Sequence, residues 1–378
     1  MHENRAWNNN PLARWIAGRI GENGPVRFRD FMEWCLYHPQ FGYYMKDRPV
    51  IGKDGDYYTS PSVGTIMGEM LASAFAGHWR ADPKPVCRIV EWGGGPGRLA
   101  GQILDELAVR HPDLYGRAEY WIVDASPRHR RQHRALDARH AGKWRSLSPA
   151  DWQAEEAPLP AGTVVFSNEL LDAFPVHRVK FDGKRYLEQM VTLDEAGRFV
   201  PSWRSVSPES PLGRWLAEAD LAGKLVAGQV FEVNLEAESW LAQIAGRLSD
   251  GLVVTIDYGD VEDVLLSPAR MAGTLMCYRR HAAHDDPFVH PGEQDITAHV
   301  NFSALMRAGE RCGLSVVSFE TQREFLVRRG VLGLLAEHAE ADPFHPAARR
   351  NRAIRQLLVG DRMGDVFKVL TQRKGGRA

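Results

Sequence analysis

A glutamate followed by alternating glycines marks the junction between a short apolar run and a helical pattern. Glu91 lies near the end of the run CRIVEW, and Gly93, Gly95 and Gly97 follow at every second position. Glycine allows the backbone to approach a ligand closely and to adopt conformations that other residues avoid. A carboxylate at this point suits a cationic ligand and disfavours a phosphate. The spacing therefore predicts a close approach of the backbone to a ligand or to a packed helix, and Glu91 is the feature that a phosphate site would not need.

Three interpretations of this glycine-rich stretch are open. Residues 95–100 (GPGRLA) formally match the dinucleotide fingerprint G-x-G-x-x-A, but about 20 residues further on, where that fingerprint expects an acid, the chain offers only loop acids such as Asp113. The stretch could also be a tight turn whose glycines allow close helix packing. The spacing E-x-G-x-G-x-G is instead typical of methyltransferases that use S-adenosyl-L-methionine, which carries an ammonium, a sulfonium and a carboxylate but no phosphate.

The next apolar run favours the third interpretation. The segment YWIVDAS ends in Asp124 and Ser126, and a carboxylate at the end of a second strand can accept hydrogen bonds from two ribose hydroxyls. An acid before the glycines and an acid after the next strand are together more specific than the glycines alone. Thr59, in the loop GDYYTSPSVG, is a further candidate donor, although Ser60 or Ser62 could simply cap the following helix. The predicted cofactor contacts are Glu91, Gly93, Gly95, Gly97, Asp124, Ser126 and Thr59.

A second polar cluster follows the apolar run TVVFSNELLDAFP. Glu169 and Asp172 are three residues apart and would share one face of a helical turn. Two carboxylates can hold a guanidinium in a fork geometry and leave a nitrogen free to attack a methyl group. Either carboxylate could alternatively cap a helix or pair with Arg178. We predict that Glu169, Asp172 and the neighbouring Asn168 line the side of the site that binds the methyl acceptor.

A third cluster contains histidines. Asp295 and His299 are four residues apart, as an acid–base pair would be, and His299 is a candidate catalytic residue or a buried structural histidine. His281, His284 and His290 form a conceivable metal cluster, but we predict no metal.

Four apolar runs alternate with helical patterns and must position these residues. They are CRIVEW, EYWIVDAS, TVVFSNEL and GLVVTIDYG. Such strands indicate an α/β fold with a doubly wound, Rossmann-like parallel sheet, whose ligands bind at the carboxyl ends of the strands. We predict an N-terminal helical region with a cofactor-side loop over residues 1–84 and a core over residues 85–378. Within the core, the segment REFLVRRGVLGLLAEHAE has the pattern of a helix. Insertions at about 176–225, as antiparallel hairpins, and at about 260–300 would form an acceptor-binding lobe.

Composition argues against several classes of function. The 378 residues contain 47 Lys and Arg against 48 Asp and Glu, a net charge of −1, so the balance does not favour nucleic-acid binding. Four scattered cysteines predict neither disulfides nor a zinc site. No apolar run approaches the roughly 20 residues that a membrane span needs. The first residues, MHENRAWNNN, lack the pattern of a leader, which predicts a cytoplasmic protein.

Several segments together resemble the MidA-like methyltransferases, one mitochondrial member of which assists assembly of respiratory complex I. The segments, in family order between about residues 24 and 371, include GDYYTSPSVGTIMGEML, VEWGGGPGRLAGQIL, SNELLDAFPVHR, TIDYG and HPGEQDITAHVNFSAL. The resemblance implies a class I methyltransferase fold, S-adenosyl-L-methionine as methyl donor and S-adenosyl-L-homocysteine as product. In the mitochondrial member the acceptor is a protein arginine.

This sequence departs from the family pattern at two places. The family's glycine loop usually has a sequence close to ELGPGRGTL, whereas this chain has EWGGGPGRL. The acid that ends the family's second strand is usually Glu, whereas this chain has Asp124. These departures retain the cofactor chemistry and are compatible with a different acceptor. We predict N-methylation of an arginine in a protein partner. The alternatives are a methyltransferase that acts on nitrogen, oxygen or carbon of a small molecule, and a non-catalytic assembly factor that binds the cofactor. Assembly as a homodimer is left open.

Overall fold

The computed structural model describes residues 9–47, 64–221, 223–337, 345–359 and 363–375. The strands are β1 (Val26–Arg27), β2 (Cys87–Trp92), β3 (Ala118–Val123), β4 (Trp144–Leu147), β5 (Thr163–Asn168), β6 (His177–Phe181), β7 (Tyr186–Leu193), β8 (Phe199–Ser205), β9 (Val230–Val233), β10 (Gly251–Asp260), β11 (Met276–Arg279), β12 (Ala282–His284), β13 (Asp295–Thr297), β14 (Val300–Asn301), β15 (Leu314–Thr321) and β16 (Phe367–Lys374).

The α-helices are α1 (Pro11–Asn23), α2 (Phe28–Tyr37), α3 (Ile66–Ala81), α4 (Arg98–Arg110), α5 (Pro112–Gly116), α6 (Pro127–Gln132), α7 (Asp137–His140), α8 (Pro149–Ala154), α9 (Pro211–Ala219), α10 (Leu235–Arg247), α11 (Glu262–Leu265), α12 (Phe302–Arg311), α13 (Gln322–Arg328), α14 (Pro346–Val359) and α15 (Met363–Val366). They and the strands form two compact units. The first unit comprises residues 1–57, 171–240 and 260–305, and the second comprises residues 58–170, 241–259 and 306–378.

The second unit is built on a mostly parallel sheet with the order β15-β16-β10-β5-β2-β3-β4. The neighbours from β10 to β4 pair in parallel, and β16 pairs antiparallel with both β10 and β15. Because β3 lies on one side of β2 and β5 on the other, the strand order reverses at β2. A crevice at the carboxyl ends of the strands is expected at such a point. The predicted doubly wound α/β fold is confirmed.

Burial explains why the central strands carry near-continuous apolar runs. In β5 every residue except Asn168 is buried, as both faces of a parallel sheet are covered by helices. Helices α3 and α4 approach so closely that a Cβ on Gly68 would lie 2.3 Å from Cβ of Gln102. These helices and strands share one apolar core. The strand β2 and the helix α4, which the glycine loop connects, are therefore both held by this core.

The first unit contains the predicted antiparallel hairpins. Its larger sheet has the order β1-β7-β6-β9, with β8 added to β7. The turn between β6 and β7 is closed by the Asp182 carboxylate, which accepts the N–H groups of Lys184 and Arg185 at 2.9 and 3.0 Å. The turn between β7 and β8 is closed by a hydrogen bond of 2.9 Å that the N–H of Asp194 donates to the carbonyl of Arg198. A small sheet, β12-β11-β13, occupies the predicted second insertion.

The helical predictions are confirmed in α1, α2 and α3, but the C-terminal segment differs from its prediction. We expected one helix over REFLVRRGVLGLLAEHAE. Helix α13 ends at Arg328, and Gly330 then adopts a left-handed φ of 85° that starts a 3₁₀ turn over Val331–Leu334. Helix α14 was not predicted. The proposed division at residue 84 stays a prediction. Within the described residues, no helix combines the length and apolar character that a membrane crossing requires.

Candidate functional site

The glycine loop joins the end of β2 to the start of α4. Gly93, Gly95 and Gly97 have φ values of 71°, 54° and 80°, in the left-handed region that favours glycine. The N–H of Gly93 donates to the carbonyl of Val123 in β3 at 2.8 Å, and the N–H of Gly97 donates to the carbonyl of Gly94 at 3.0 Å. The alternation seen in the sequence therefore corresponds to a turn that only glycines form at low cost.

Glu91 is buried beneath this loop. The Tyr120 hydroxyl donates to its Oε2 at 2.8 Å. Burial raises the pKa of Glu91 to about 8; the hydrogen bond from Tyr120 opposes this rise and the nearby Asp124 adds to it. A buried carboxyl with so high a pKa is costly to ionise unless a cation arrives, since a nearby positive charge favours the charged form. The geometry suits a ligand ammonium group at this carboxyl.

Asp124 follows β3 and fixes the shape of the loop. Its Oδ2 accepts the N–H of Gly95 and its Oδ1 accepts the N–H of Ser126, both at 2.8 Å. Nδ1 of His129 lies 3.4 Å from Oδ1. Each carboxylate oxygen has a second lone pair, so a ribose diol can still be accepted here.

Ser126 supplies an independent test of whether the site fits the cofactor. Its hydroxyl oxygen is buried and has no hydrogen-bond partner among the described residues. Buried polar atoms are normally paired, and an exception needs an explanation. With the glycine cradle, the Glu91 carboxyl and Asp124, this orphan hydroxyl fits a nucleoside with an amino-acid tail. Thr59, the remaining predicted contact, lies outside the described residues.

Two residues of the loop region were missed from the sequence. Tyr120 occupies the same face of β3 as Ile122, so strand alternation placed it near the loop, but nothing in the sequence showed that its hydroxyl reaches Glu91. Gly94 is the second such residue, because it falls between the glycines of the alternating pattern. A Cβ built on Gly94 would lie 2.3 Å from Cγ2 of Ile122 and 3.2 Å from Cδ of Glu91. The loop therefore needs glycine at four positions, which are residues 93, 94, 95 and 97.

Replacing Gly94 by alanine should destabilise the protein. The added methyl group cannot be placed without moving Ile122, and overpacking of this kind costs about 1–3 kcal/mol. Urea denaturation of the purified protein would measure the loss. Gly77→Ala is the matched control, because a Cβ built there in helix α3 meets no atom of the described residues within 4 Å apart from its own stretch of helix. Equal stability of the Gly94→Ala variant and the wild type would contradict the observed packing.

The acceptor-side cluster begins where β5 ends. Glu169 has a φ of 54°, which a residue with a side chain adopts only at some cost. The N–H of Glu169 donates to the carbonyl of Ile256 at 2.9 Å, and the N–H of Leu170 donates to Oδ2 of Asp257 at 3.1 Å. Asp257 is fully buried within β10. It was missed from the sequence, although the run TIDYG shows an acid inside an apolar strand.

Asn168 orients the Glu169 side chain. Its Nδ2 donates to Oε1 of Glu169 at 3.0 Å, and its own Oδ1 is buried with no hydrogen-bond partner among the described residues. The expectation that Glu169 and Asp172 share one helical turn is wrong. The left-handed backbone at Glu169 interrupts the helical path, and the 3₁₀ turn covers only Leu171–Ala173.

Asp172 and His299 belong to the first unit. The carbonyl of Asp172 accepts the N–H of Ala298 at 2.9 Å, so the backbone segments of the two candidates lie side by side within that unit. Burial lowers the pKa of His299 to about 4; the charge of Arg270 adds to this and that of Asp260 opposes it. The ring is therefore neutral near pH 7 and a weak base. Catalytic roles for Asp172 and His299 stay predictions.

Asp295 is engaged within the same unit. Its Oδ1 accepts the Tyr44 hydroxyl at 2.6 Å and the N–H of Ile296 at 3.0 Å. The described parts of the chain contain no group of three or more His, Cys, Asp or Glu side chains arranged to hold a metal ion.

Comparison with known proteins identifies the chain. A model of the S-adenosyl-L-methionine-dependent methyltransferase family matches residues 70–320. The chain belongs to this family. A solved structure from Burkholderia thailandensis, described in its own words as a "likely methyl transferase" and bound to S-adenosyl-homocysteine, has 33% sequence identity and a TM-score of 0.84. The match covers 97% of this chain and 92% of that one. The protein is thus a class I methyltransferase that depends on S-adenosyl-L-methionine.

Two curated relatives add detail. The mitochondrial protein arginine methyltransferase NDUFAF7 homolog of Drosophila melanogaster is 30% identical over 330 residues, which cover 80% of this chain and 70% of the relative. The mitochondrial protein arginine methyltransferase NDUFAF7 of Homo sapiens is 27% identical over 349 residues, which cover 85% and 74%. The cytoplasmic location predicted for this methyltransferase is wrong on this comparison, because both relatives are mitochondrial. That prediction rested on the lack of a leader pattern, and such an absence does not fix a location.

The affinity of the methyltransferase for S-adenosyl-L-homocysteine should rise as the pH is raised from about 6 to about 8. Over this range Glu91 changes from mostly neutral to half ionised, and the anion attracts the ligand ammonium. Calorimetric titration at several pH values would measure the rise, and the Glu91→Gln variant should show a smaller one. Indistinguishable pH profiles of the two proteins would rule out Glu91 as the ammonium partner.

The same pKa shift predicts a change in the stability of the ligand-free protein. The folded state binds the Glu91 proton more tightly than the unfolded chain, whose carboxyl ionises near its usual value of 4.5. Stability is therefore lost as the pH rises from about 4.5 to about 8, and Glu91→Gln removes this loss. Urea denaturation across this range would measure it.

Proposed function

We propose that this methyltransferase transfers the methyl group to a nitrogen of an arginine side chain in a protein, and that Asn168 and Glu169 bind the acceptor. The observation that carries the proposal is the pairing of Asn168 with Glu169 at the carboxyl end of β5, where the buried Oδ1 of Asn168 has no hydrogen-bond partner within the part of the chain that the structure describes. This end of β5 adjoins the end of β2, since the two strands are direct neighbours.

Hydrogen-bond chemistry favours a guanidinium as the acceptor. A guanidinium has five N–H donors and no acceptor, so it requires a cluster of acceptor oxygens. The carboxylate of Glu169 and the Oδ1 of Asn168 form such a cluster, and both lie on a corner fixed to β10 by hydrogen bonds from the backbone N–H groups of Glu169 and Leu170. The relatives from Drosophila melanogaster and Homo sapiens, both named protein arginine methyltransferases, support the same acceptor.

The chain's own residues have three tasks in this reaction. S-adenosyl-L-methionine supplies a methyl group that is already activated by its sulfonium. Asn168 and Glu169 hold the guanidinium so that one nitrogen points along the line of transfer, and such positioning can lower the barrier by about 7 kcal/mol or more. The Glu169 carboxylate stabilises the positive charge of the acceptor and takes up the proton that the methylated nitrogen releases.

The proposal is tested with synthetic peptides. A library of peptides that each contain one arginine is incubated with methyl-labelled S-adenosyl-L-methionine, beside a matched library with lysine in place of arginine. Transfer to arginine peptides alone, located by mass spectrometry, is the expected result. Transfer to lysine peptides, or no transfer to any peptide together with transfer to small molecules of a deproteinised cell extract, would overturn the arginine assignment. Tight binding of the cofactor with no transfer to any acceptor would favour a non-catalytic assembly factor.

A further inference from the structure

A fully buried histidine forms a hydrogen bond with the backbone of the glycine loop. His133 begins a 3₁₀ turn after α6, and its side chain has no exposed surface. Its Nε2 lies 2.8 Å from the carbonyl oxygen of Gly95, and its Nδ1 lies 2.8 Å from the hydroxyl of Ser146 in β4. The ring thus links the glycine loop to β4, the strand at one edge of the sheet.

The partners of the ring determine its tautomer. A carbonyl oxygen can only accept, so Nε2 of His133 carries the hydrogen and donates it to Gly95. Nδ1 then accepts the hydrogen of the Ser146 hydroxyl. Burial lowers the pKa of His133, although the bond to Gly95 and the charge of Asp124 oppose this change. The ring is therefore a neutral donor with a fixed orientation.

The peptide groups of Gly95 are held on both sides by side chains. Asp124 accepts the N–H of Gly95, and His133 donates to its carbonyl, each at 2.8 Å. A Cβ on Gly97 would lie 3.1 Å from Cδ2 of His133, so the ring also packs against the end of the loop. Gly95 itself has a left-handed φ of 54°. Two fixed bonds on this one residue keep the loop in a conformation that the backbone alone does not enforce.

We propose that His133 is a positioning residue for S-adenosyl-L-methionine, acting through the carbonyl of Gly95 and supported by Ser146. By holding this carbonyl, the ring fixes the orientation of the Gly95 peptide and so supports the loop conformation in which Asp124 accepts the Gly95 N–H. The proposal concerns the cofactor, so it holds or fails independently of the acceptor. It assigns a role to two residues that the sequence patterns did not indicate.

The experiment compares two substitutions of similar volume. His133→Leu removes the donor, whereas His133→Gln retains an N–H that can reach the Gly95 carbonyl. Calorimetric titration with S-adenosyl-L-homocysteine should show about a tenfold loss of affinity or more for His133→Leu, since a buried carbonyl is left unpaired, and a loss of less than about threefold for His133→Gln. Ser146→Ala, which leaves the ring in place but removes the partner of Nδ1, should give an intermediate loss.

His140→Leu is the matched control. His140 is also a buried histidine of this unit with two ring partners, the Tyr115 hydroxyl and Asp105, each at 3.0 Å from a ring nitrogen, but it does not contact the loop. It should lose stability and retain its affinity. Equal losses of affinity in His133→Leu and His140→Leu, or no rescue by His133→Gln, would overturn the proposal. If His133→Leu does not fold, wild-type affinity in Ser146→Ala together with a loss in His133→Gln would overturn it as well.

Discussion

Replacing Glu169 by glutamine should reduce methyl transfer to an arginine peptide by about 10²- to 10³-fold, the range in which a positioned proton acceptor contributes. Glutamine occupies the same space and can still receive the Asn168 amide, so the corner after β5 should keep its shape. What is lost is the negative charge that stabilises the guanidinium and the base that takes its proton. The affinity for S-adenosyl-L-homocysteine should stay within about threefold, because the cofactor loop is not altered.

The measurement separates chemistry from binding. Turnover is followed with the methyl-labelled donor and an arginine peptide, and cofactor affinity is measured by calorimetry on the same preparations. Glu195→Gln, at an exposed residue in the turn between β7 and β8, is the control and should behave as the wild type in both assays. A Glu169→Gln variant that turns over normally but binds the cofactor weakly would show that Glu169 belongs to the cofactor side.

Replacing Asp124 by alanine should weaken the binding of S-adenosyl-L-homocysteine by about 10²-fold. The carboxylate accepts the N–H groups of Gly95 and Ser126, and hydrogen bonds to a charged group contribute about 1.5–3 kcal/mol each. Without it, two buried donors lose their partner and the loop is released. The ribose hydroxyls lose their acceptor at the same time. A loss of about 3 kcal/mol corresponds to roughly two powers of ten in the dissociation constant.

Asp182→Ala is the control for this loss. Asp182 also accepts two backbone N–H groups, but it does so in the turn between β6 and β7 of the other unit. Its replacement should leave the affinity unchanged. If Asp124→Ala retained cofactor affinity within about threefold of the wild type, the carboxyl end of β3 would not be the ribose site, and the loop geometry would have another purpose.

The parts of the site that the sequence predicted are those encoded by local spacing. Glu91 and the alternating glycines are recognisable because strand, turn and helix follow one another directly. Asp124 is recognisable because it ends an apolar run. The partners of these residues could not be predicted in this way, because Tyr120 and His133 contact the loop from other parts of the chain. Local patterns say which face of a strand a side chain occupies, but not which distant atom it meets.

Two of the sequence-based helix predictions are wrong for the same kind of physical reason. The helical turn expected to carry Glu169 and Asp172 is interrupted by a left-handed backbone, and that conformation depends on the N–H bonds to Ile256 and Asp257 of β10. No propensity of the segment NELLD indicates it. Helix α13 was extended too far because the apolar spacing continues through RGVLGLL, whereas Gly330 ends it with a positive φ. Tertiary contacts and single glycines override periodicity at both places.

Calorimetric titration of the wild-type protein with S-adenosyl-L-homocysteine, with NADH as a parallel ligand, tests the central claim most directly. The geometry of the glycine loop, with Glu91 beneath it, predicts a single site of micromolar affinity for S-adenosyl-L-homocysteine and no heat from NADH. Binding of NADH with no response to S-adenosyl-L-homocysteine would contradict the assignment and restore the dinucleotide interpretation of the loop.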